Sequence, residues 1–244
     1  MSGLSKNKIK WIRSLHLKKN RDELGLFLVE GEKMVGEALS EYPEMIDYVY
    51  ATAQFQLPSF SKEIELITED ELVQISSLKT PNKALAILRK PKTSAPTLTS
   101  GLILVLDGVQ DPGNMGTILR TADWFGVKTI VCSEDTADIF NPKVIQASMG
   151  SVLHMNVVYT TLETFLSTCD LPIYGALLEG ENVYRTSLKK TGVLVMGNEG
   201  KGIRPSVRAF INTPIHIPGF GKAESLNVAV ATGVLLSEFV RLAK

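Results

Sequence analysis

The sequence contains few of the residues from which disulfide scaffolds and metal sites are built. Its two cysteines, Cys132 and Cys169, fit neither a CxxC motif nor a metal-ligand spacing, which argues against a disulfide scaffold and indicates a reducing compartment. The three histidines also lack metal-binding spacing, so we expect no metal. No apolar run approaches the roughly 20 residues that span a bilayer, and no apolar segment of a secretion signal follows the N-terminus. We therefore expect a cytoplasmic protein with no membrane partner.

A net charge is also lacking, because 26 Lys and Arg residues balance 26 Asp and Glu residues. The balance is uneven along the chain, since residues 1–21 contain no acidic residue. The basic residues of this segment are Lys6, Lys8, Lys10, Arg13, Lys18, Lys19 and Arg21. Such a segment could bind nucleic-acid phosphates, but a solvated helix face explains the composition equally well.

A stretch rich in Pro, Ser and Thr, residues 91–101, predicts a linker between two parts of the chain. Short strand and helix patterns alternate in residues 1–90, which predicts a small α/β sandwich. Apolar runs alternate with helical patterns in residues 102–244, which predicts a mostly parallel sheet with helices on both faces. The fold class is therefore α/β, with a smaller domain in front of a larger one.

Hydrophobic periodicity predicts the individual elements. In the first part we expect helices over 5–17, 31–39 and 69–76, and strands over 27–29, 46–51, 64–68 and 84–88. In the second part we expect strands over 102–106, 128–132, 152–159, 173–178, 192–196 and 215–217, and helices over 114–125, 141–149 and 225–242.

The first of three segments with chemical potential runs from Leu106 to Ala122. A buried strand ends there, a Gly/Pro turn follows, and Asn114 is expected to cap the next helix. Arg120 lies six residues further on, in an otherwise apolar helix. A buried arginine needs a partner, so a structural ion pair with Asp123 or Asp107 is an alternative to a functional role.

The second segment, Val193–Ile203, places three glycines in six residues after a strand. Glycines let a ligand approach the backbone, although a tight strand-to-helix turn also needs them. The segment lacks the GxxxxGK[ST] phosphate loop, and the GxGxxG dinucleotide fingerprint is absent from the chain. Both absences argue against a nucleotide- or NAD-dependent α/β enzyme.

The third segment, Ile215–Ala231, is a strand, a Pro/Gly loop and the start of the closing helix. Ser225 is expected to cap this helix. Asn227 would then lie in the first turn, where its amide is free to face a ligand. The rest of the helix is apolar almost all round, which predicts burial by the sheet or by a second subunit.

In this order and at these distances, the three segments resemble the signature motifs of the SpoU/TrmH family of SPOUT methyltransferases, over Leu102–Lys244. Residues 1–90 resemble the RNA substrate-binding domain often found in front of it, chiefly through Phe27–Lys33. The resemblance implies a deep trefoil knot in the C-terminal sheet and a homodimer formed through that domain. It also implies transfer of a methyl group from S-adenosyl-L-methionine to a ribose 2′-hydroxyl of RNA, with ribosomal RNA favoured over transfer RNA.

The same resemblance implies a site. Its characteristic polar positions match Asn114, Arg120, Glu199, Ser225 and Asn227, and its cofactor contacts match Gly197, Ile217 and Leu226. Arg120 is expected to act on the ribose hydroxyl or the adjacent phosphate. Asn114 and Glu199 would orient the site, and Ser225 and Asn227 would fix the third loop and contact RNA or cofactor. One departure is Gly219, which stands where the family often has a methionine and could alter the packing of this loop.

A non-catalytic RNA-binding or ribosome-assembly factor is the main alternative to an enzyme. The presence of all five polar residues argues against it, because a degenerate enzyme would be expected to have lost one. Trp11 and Trp124 are interpreted as packing residues and not as platforms on which bases stack.

Overall fold

The computed structural model describes residues 3–56, 63–93 and 101–241, and it divides the chain into two compact units. The first unit comprises Met1–Lys92 and Phe140–Leu153, and the second comprises Thr93–Ile139 and His154–Lys244. The second half of the chain therefore contributes one short segment to the first unit. Part of the predicted linker, residues 94–100, lies outside the described residues.

The helices and strands follow in chain order. The first part contains α1 (Lys6–Ser14), α2 (Lys18–Leu24), β1 (Leu26–Glu30), α3 (Glu32–Glu41), β2 (Ile46–Ala51), β3 (Glu65–Leu66), α4 (Glu69–Ile75) and β4 (Ala84–Arg89). The second part contains β5 (Leu102–Asp107), α5 (Pro112–Trp124), β6 (Thr129–Cys132), α6 (Pro142–Ser148), β7 (Asn156–Tyr159), α7 (Leu162–Ser167), β8 (Ile173–Asn182), β9 (Gly192–Gly197), α8 (Pro205–Arg208), β10 (Thr213–His216) and α9 (Val228–Arg241).

Each predicted element is present, and all but the strand Ile46–Ala51 have shifted ends, but three short helices were not predicted. Helices α2, α7 and α8 have seven, six and four residues, too few to establish a helical period in the sequence. The predicted strand over 152–159 begins only at Asn156, because a 3₁₀ turn over Ser151–Leu153 precedes it.

The first unit is built on a mixed sheet of order β1-β4-β2-β3, in which β4 pairs antiparallel with β1 and β2. Helix α1 covers one face of this sheet, where Ile12 and Leu15 pack among buried strand residues such as Leu28. Arg21 is buried and donates to the Leu15 and His16 carbonyl oxygens at 3.0 and 2.8 Å, which fixes α2 at the end of α1. Arg21 is therefore structural and is not a surface cation of the basic segment.

The second unit is a six-stranded sheet of order β10-β8-β9-β5-β6-β7, and all its neighbouring strands are parallel. One face packs against α7 and α8, and α9 packs against β9 and α5. Both faces are thus covered, which explains why β5 and β9 are continuous apolar runs. The prediction of an α/β fold with a parallel sheet is confirmed.

Strands β8 and β10 approach each other unusually closely. Their register shifts between Pro214 and Ile215, from partners Tyr174–Gly175 to partners Glu181–Asn182. A Cβ atom on Gly180 would lie only 2.5 Å from the backbone nitrogen of Ile215, so only glycine fits there. The sequence predicted a strand that ends at residue 178, whereas β8 continues to Asn182.

The structure also bears on three expectations from the sequence, which concern membrane-spanning helices, metal sites and the two cysteines. Within the described ranges, no helix combines the length and the apolar character needed to cross a bilayer. In the same ranges, no three His, Cys, Asp or Glu side chains are grouped as metal ligands. Cys132 and Cys169 are free thiols, and complete burial raises the pKa of Cys132, so its thiol is not a candidate nucleophile.

Candidate functional site

The three segments meet at the carboxyl edge of the parallel sheet, where ligands of open α/β sheets bind. Asp107 at the end of β5 pairs in register with Gly197 at the end of β9. The turn after β5 leads into α5, and the loop after β9 folds back on its own strand. The start of α9 joins them through a side-chain hydrogen bond from Asn227.

Helix α5 is capped one turn earlier than the sequence predicted. The cap is Asp111, whose carboxylate accepts a hydrogen bond from the Asn114 backbone N–H at 2.8 Å. Pro112 occupies the first helical position, for which its fixed φ is suited. The prediction that Asn114 caps the helix is therefore wrong, and its side chain is free to reach other segments.

Asn114 connects the other two segments through its side-chain amide. Its Nδ2 donates to Glu199 Oε1 at 2.9 Å, and its Oδ1 accepts from Asn227 Nδ2 at 2.9 Å. One residue from each segment thus contributes to a single hydrogen-bonded chain. Because Glu199 and Asn227 are exposed, this chain lies at the surface, where a substrate can reach it.

Helix α9 is also capped by a residue other than the predicted one. Asn227 Oδ1 accepts from the backbone N–H groups of Ala229 and Val230 at 2.9 and 3.3 Å, and the helix begins at Val228. The prediction that Ser225 caps this helix is wrong, and Ser225 lies exposed in the preceding loop. Asn227 therefore has two structural tasks, since it caps α9 with one atom and holds Asn114 with another.

Arg120 is exposed on α5, and the structure shows no side-chain partner for it within the described ranges. The two carboxylates considered as its partners are engaged elsewhere. Asp107 pairs with Arg204, and Asp123 lies 3.0 Å from His154. The alternative of a structural ion pair for Arg120 is thus wrong, and its guanidinium is available to a ligand.

The loop after β9 is held by Asn198, a residue that sequence reasoning did not single out. Its Nδ2 donates to the Gly108 carbonyl oxygen at 2.7 Å, and its Oδ1 accepts from the N–H groups of Gly200 and Lys201 at 3.0 Å. Asn198 also pairs with Gly202 through two backbone hydrogen bonds. The loop therefore presents Glu199 in a fixed position.

An ion pair between a buried aspartate and an exposed arginine lies next to this loop and was also missed. The Asp107 side chain is fully buried and accepts from the Arg204 backbone N–H at 2.7 Å and from its Nε at 2.5 Å. These contacts with Asp107 raise the pKa of Arg204. A hydrogen bond from Ser133 and the nearby Arg204 lower the pKa of Asp135, so this edge carries fixed charges at neutral pH. The sequence feature that could have indicated this ion pair is Asp107, an aspartate at the end of an otherwise apolar strand.

A cavity of about 90 Å³ opens beside Ile217 and Leu226, two of the three predicted cofactor contacts. Its other lining residues are Ala176, Leu177, Ile215, His216, Ala231 and Leu235. The mostly apolar walls suit an adenine ring or a methionine side chain, although the volume holds only part of S-adenosylmethionine. Gly197 does not line this cavity. It ends β9, where a Cβ atom would lie 2.3 Å from the Gly202 carbonyl carbon.

Because Asn227 both caps α9 and donates a hydrogen bond to Asn114, two substitutions at this position can separate an effect on stability from an effect on activity. Asn227→Asp keeps an oxygen that caps α9 but loses the amide that donates to Asn114, whereas Asn227→Ala loses both. We expect only the alanine variant to lose stability, by about 1 kcal/mol. In the methyl-transfer reaction that the resemblance of the three segments implies, both variants should react about threefold to tenfold more slowly. Thermal unfolding and single-turnover transfer assays measure the two effects. Equal transfer rates in Asn227→Asp and the unaltered protein would contradict a role for the Asn114 hydrogen bond.

Comparison with known families matches both parts of the chain. Residues 101–237 match the SpoU rRNA Methylase family, and residues 6–86 match the MRM3-like substrate binding domain. The first match contains all three segments that form the site. The second match contains most of the first sheet and α1.

Similar proteins match over nearly the whole chain. The 23S rRNA (guanosine(2553)-2′-O)-methyltransferase RlmP of Bacillus subtilis is 33% identical over 236 residues, which are 94% of each chain. A protein from Porphyromonas gingivalis, described as a TrmH-family RNA methyltransferase, has a TM-score of 0.87 at 41% identity, covering 98% of this chain and 99% of that one. An AdoMet-bound rRNA methyltransferase from Sinorhizobium meliloti has a TM-score of 0.87 at 28% identity, covering 99% and 97%.

Proposed function

Because the chain belongs to the SpoU rRNA methylase family, we propose that it transfers the methyl group of S-adenosylmethionine to a ribose 2′-hydroxyl of ribosomal RNA. The resemblance seen in the three sequence segments is thereby confirmed. The family also fixes the enzyme class, an S-adenosylmethionine-dependent RNA methyltransferase. The observation that supports the site is the hydrogen-bonded chain that joins Asn114, Glu199 and Asn227. Arg120 lies on the same helix as Asn114 and has no side-chain partner among the described residues.

The nature of the RNA is proposed from the relatives. The Bacillus subtilis relative is named for a guanosine of 23S rRNA, and other relatives are also named for a guanosine of 23S rRNA. We therefore favour a guanosine of the large-subunit RNA over transfer RNA. The first unit, which contains the match to a substrate binding domain, would bind this RNA, and residues 102–244 would perform the transfer.

S-adenosylmethionine supplies an activated methyl group on a sulfonium centre, which is already a strong electrophile. Ile217 and Leu226 would hold it against the apolar cavity. Gly197 would let the loop after β9 fold back closely on its own strand and so shape the cofactor site. The protein is then required mainly to bring the ribose hydroxyl into line, and positioning of this kind supplies a large share of the rate.

Arg120 performs this positioning in our proposal. A guanidinium is almost never deprotonated in proteins, so Arg120 is a poor general base. It binds the phosphate next to the target ribose and polarises the 2′-hydroxyl, while the proton leaves to another acceptor. Asn114 and Glu199 orient the site through their mutual hydrogen bond, and Ser225 contacts RNA or cofactor from the third loop.

Two further features of the family are proposed for this chain. The first is a trefoil knot in the C-terminal sheet, which is proposed from membership of the family. The second is a homodimer through the C-terminal domain. Trp124 on α5 is 84% exposed and Val230 on α9 is 54% exposed, and in our proposal a second copy covers these apolar side chains. The interpretation of Trp124 as a packing residue is wrong within a single chain.

We also propose a cytoplasmic location, which suits two free thiols.

The proposal is tested by the product. Purified protein is incubated with methyl-labelled S-adenosylmethionine and unmodified transcripts of 23S rRNA or transfer RNA, and the RNA is digested to nucleosides for mass spectrometry. We expect 2′-O-methylguanosine from the ribosomal transcript. A base-methylated nucleoside would overturn the ribose assignment, and modification of transfer RNA alone would overturn the substrate assignment. Absence of cofactor binding by calorimetry would favour a non-catalytic RNA-binding factor.

A further inference from the structure

Methyl transfer to a ribose needs a group on the protein that takes up a proton. The 2′-hydroxyl loses its proton as its oxygen forms a bond to the methyl carbon. The bond between that carbon and sulfur breaks in the same step, and its electron pair stays on the sulfur of S-adenosylhomocysteine. The acceptor of the proton must therefore lie at the surface of the site and be able to take up a proton at neutral pH.

The five polar residues assigned to the site differ in whether they can serve as this acceptor. The side-chain amides of Asn114 and Asn227 do not take up a proton at neutral pH. The guanidinium of Arg120 already carries its proton, and the hydroxyl of Ser225 would need a base of its own. Glu199 is left, because a carboxylate has two oxygens that can each accept a proton.

The two carboxylate oxygens of Glu199 have different surroundings. Oε1 accepts a hydrogen bond from Asn114 Nδ2 at 2.9 Å. Within residues 3–56, 63–93 and 101–241, Oε2 has no hydrogen-bond or ion-pair partner. Because the residue is exposed, Oε2 is open to a substrate hydroxyl while Oε1 fixes the orientation of the carboxylate.

Three aspartates at the same edge of the sheet are engaged in contacts that hold the fold. Asp107 is buried and paired with Arg204, and Asp111 caps α5. Asp135 Oδ1 accepts a hydrogen bond from Ser133 Oγ at 2.6 Å. A proton on any of them would weaken one of these contacts. Glu199 differs, because the residue that holds its carboxylate belongs to the site itself.

We propose that Oε2 of Glu199 accepts the proton of the ribose 2′-hydroxyl as the methyl group is transferred. The inference rests on the proposed function and deepens it, since it names the acceptor that Arg120 cannot be. The loop that carries Glu199 is fixed by Asn198, whose Oδ1 accepts from the backbone N–H groups of Gly200 and Lys201 at 3.0 Å. A base held in this way is in position before the substrate arrives.

Glu199→Gln separates a proton acceptor from a residue that only orients the site. Glutamine keeps an oxygen that can accept from Asn114, but its amide takes up no proton. We expect single-turnover transfer to a 23S rRNA transcript to fall by about 10²- to 10⁴-fold. The affinity for S-adenosylmethionine, measured by calorimetry, should stay unchanged. The matched control is Glu224→Gln, which removes an exposed carboxylate from the loop before α9 and should keep the unaltered rate.

A second variant, Glu199→Ala, leaves space that a small external carboxylate can occupy. Added formate should speed transfer by this variant in proportion to its concentration, because formate supplies the missing proton acceptor. Chloride at the same ionic strength should not. Formate should also leave Glu199→Gln slow, since the glutamine side chain fills the space. If formate and chloride act alike on Glu199→Ala, the carboxylate is not the acceptor.

Two further results would overturn the proposal. Unslowed transfer by Glu199→Gln would mean that the carboxylate only orients the site through Asn114. A loss in Glu224→Gln as large as that in Glu199→Gln would mean that neither carboxylate has a specific role as acceptor. Both results leave the proposed function standing, because the unaltered protein still forms 2′-O-methylguanosine. An inactive unaltered protein would instead overturn the proposed function, and the assignment of Glu199 with it.

Discussion

Changing Arg120 to alanine is expected to slow methyl transfer by about 10²- to 10³-fold while leaving the affinity for S-adenosylmethionine unchanged. The reason is that Arg120 is exposed and, among the described residues, has no partner whose loss would disturb the fold. In our proposal its contribution is made to the substrate, where it binds a phosphate and polarises the attacking hydroxyl. Single-turnover transfer rates and calorimetric titration of the cofactor measure the two quantities.

The matched control for this variant is Arg208→Ala. Arg208 is also exposed and forms a surface ion pair with Glu179 at 2.8 Å, a contact that contributes little to stability. We expect its transfer rate to stay close to that of the unaltered protein. Equal losses in the two variants would indicate a general effect of positive charge on RNA binding and would contradict a specific role for Arg120.

A lysine at position 120 distinguishes positioning from general-base catalysis. A lysine amine loses its proton near pH 10.4, so a general base at this position would regain full activity as the pH rises through that range. In our proposal Arg120→Lys retains partial activity, because one ammonium group still meets the phosphate but lacks the bidentate geometry of a guanidinium. Its rate should show no separate rise near the pKa of lysine.

The sequence predicts best those features of the site that depend on residues close together in the chain, and less well those that depend on contacts between distant residues. The three segments were expected to form one site, and the structure joins Asn114, Glu199 and Asn227 by hydrogen bonds. The helix caps were mispredicted, because Asp, Ser and Asn are all good caps and the sequence offers several in a row. Pro112 was the unused signal, since a proline at the first helical position places the cap one residue earlier, at Asp111.

Long-range pairing was the part of the site that the sequence did not predict. The contact between Asp107 and Arg204 joins residues 97 positions apart, and nothing local to either residue indicates it. The same holds for Asn198, whose amide reaches Gly108 from 90 positions away. Such contacts depend on which strands become neighbours. That order, with β9 beside β5, does not follow from hydrophobic period alone.

The fold shows the same division between local and distant causes. The apolar run of β5 predicted a strand buried on both faces, and the structure places it between two parallel neighbours. The extension of β8 to Asn182 was not predictable from alternation, because it depends on β10 crossing at Gly180. A glycine in a polar stretch indicates a turn when read alone, and only the approach of a second backbone explains it here.

Changing Gly197 to alanine is expected to raise the dissociation constant of S-adenosylmethionine by at least about tenfold, since forced overpacking typically costs 1–3 kcal/mol. The new Cβ would lie 2.3 Å from the Gly202 carbonyl carbon and 2.4 Å from the Ile203 nitrogen. Both are backbone atoms that cannot rotate away. The loop must therefore move as a whole, which pulls Glu199 away from Asn114 and slows transfer as well.

The same loop provides its own control in Gly200→Ala. The nearest atom to a Cβ at this position is Asn198 Oδ1 at 3.8 Å, and the backbone there is not left-handed. The hydrogen bond from the Gly200 backbone N–H to Asn198 is also kept. We expect cofactor affinity and transfer rate close to those of the unaltered protein. If Gly197→Ala bound the cofactor as tightly as Gly200→Ala, the loop after β9 would tolerate displacement, and its tight closure could not be what shapes the cofactor site.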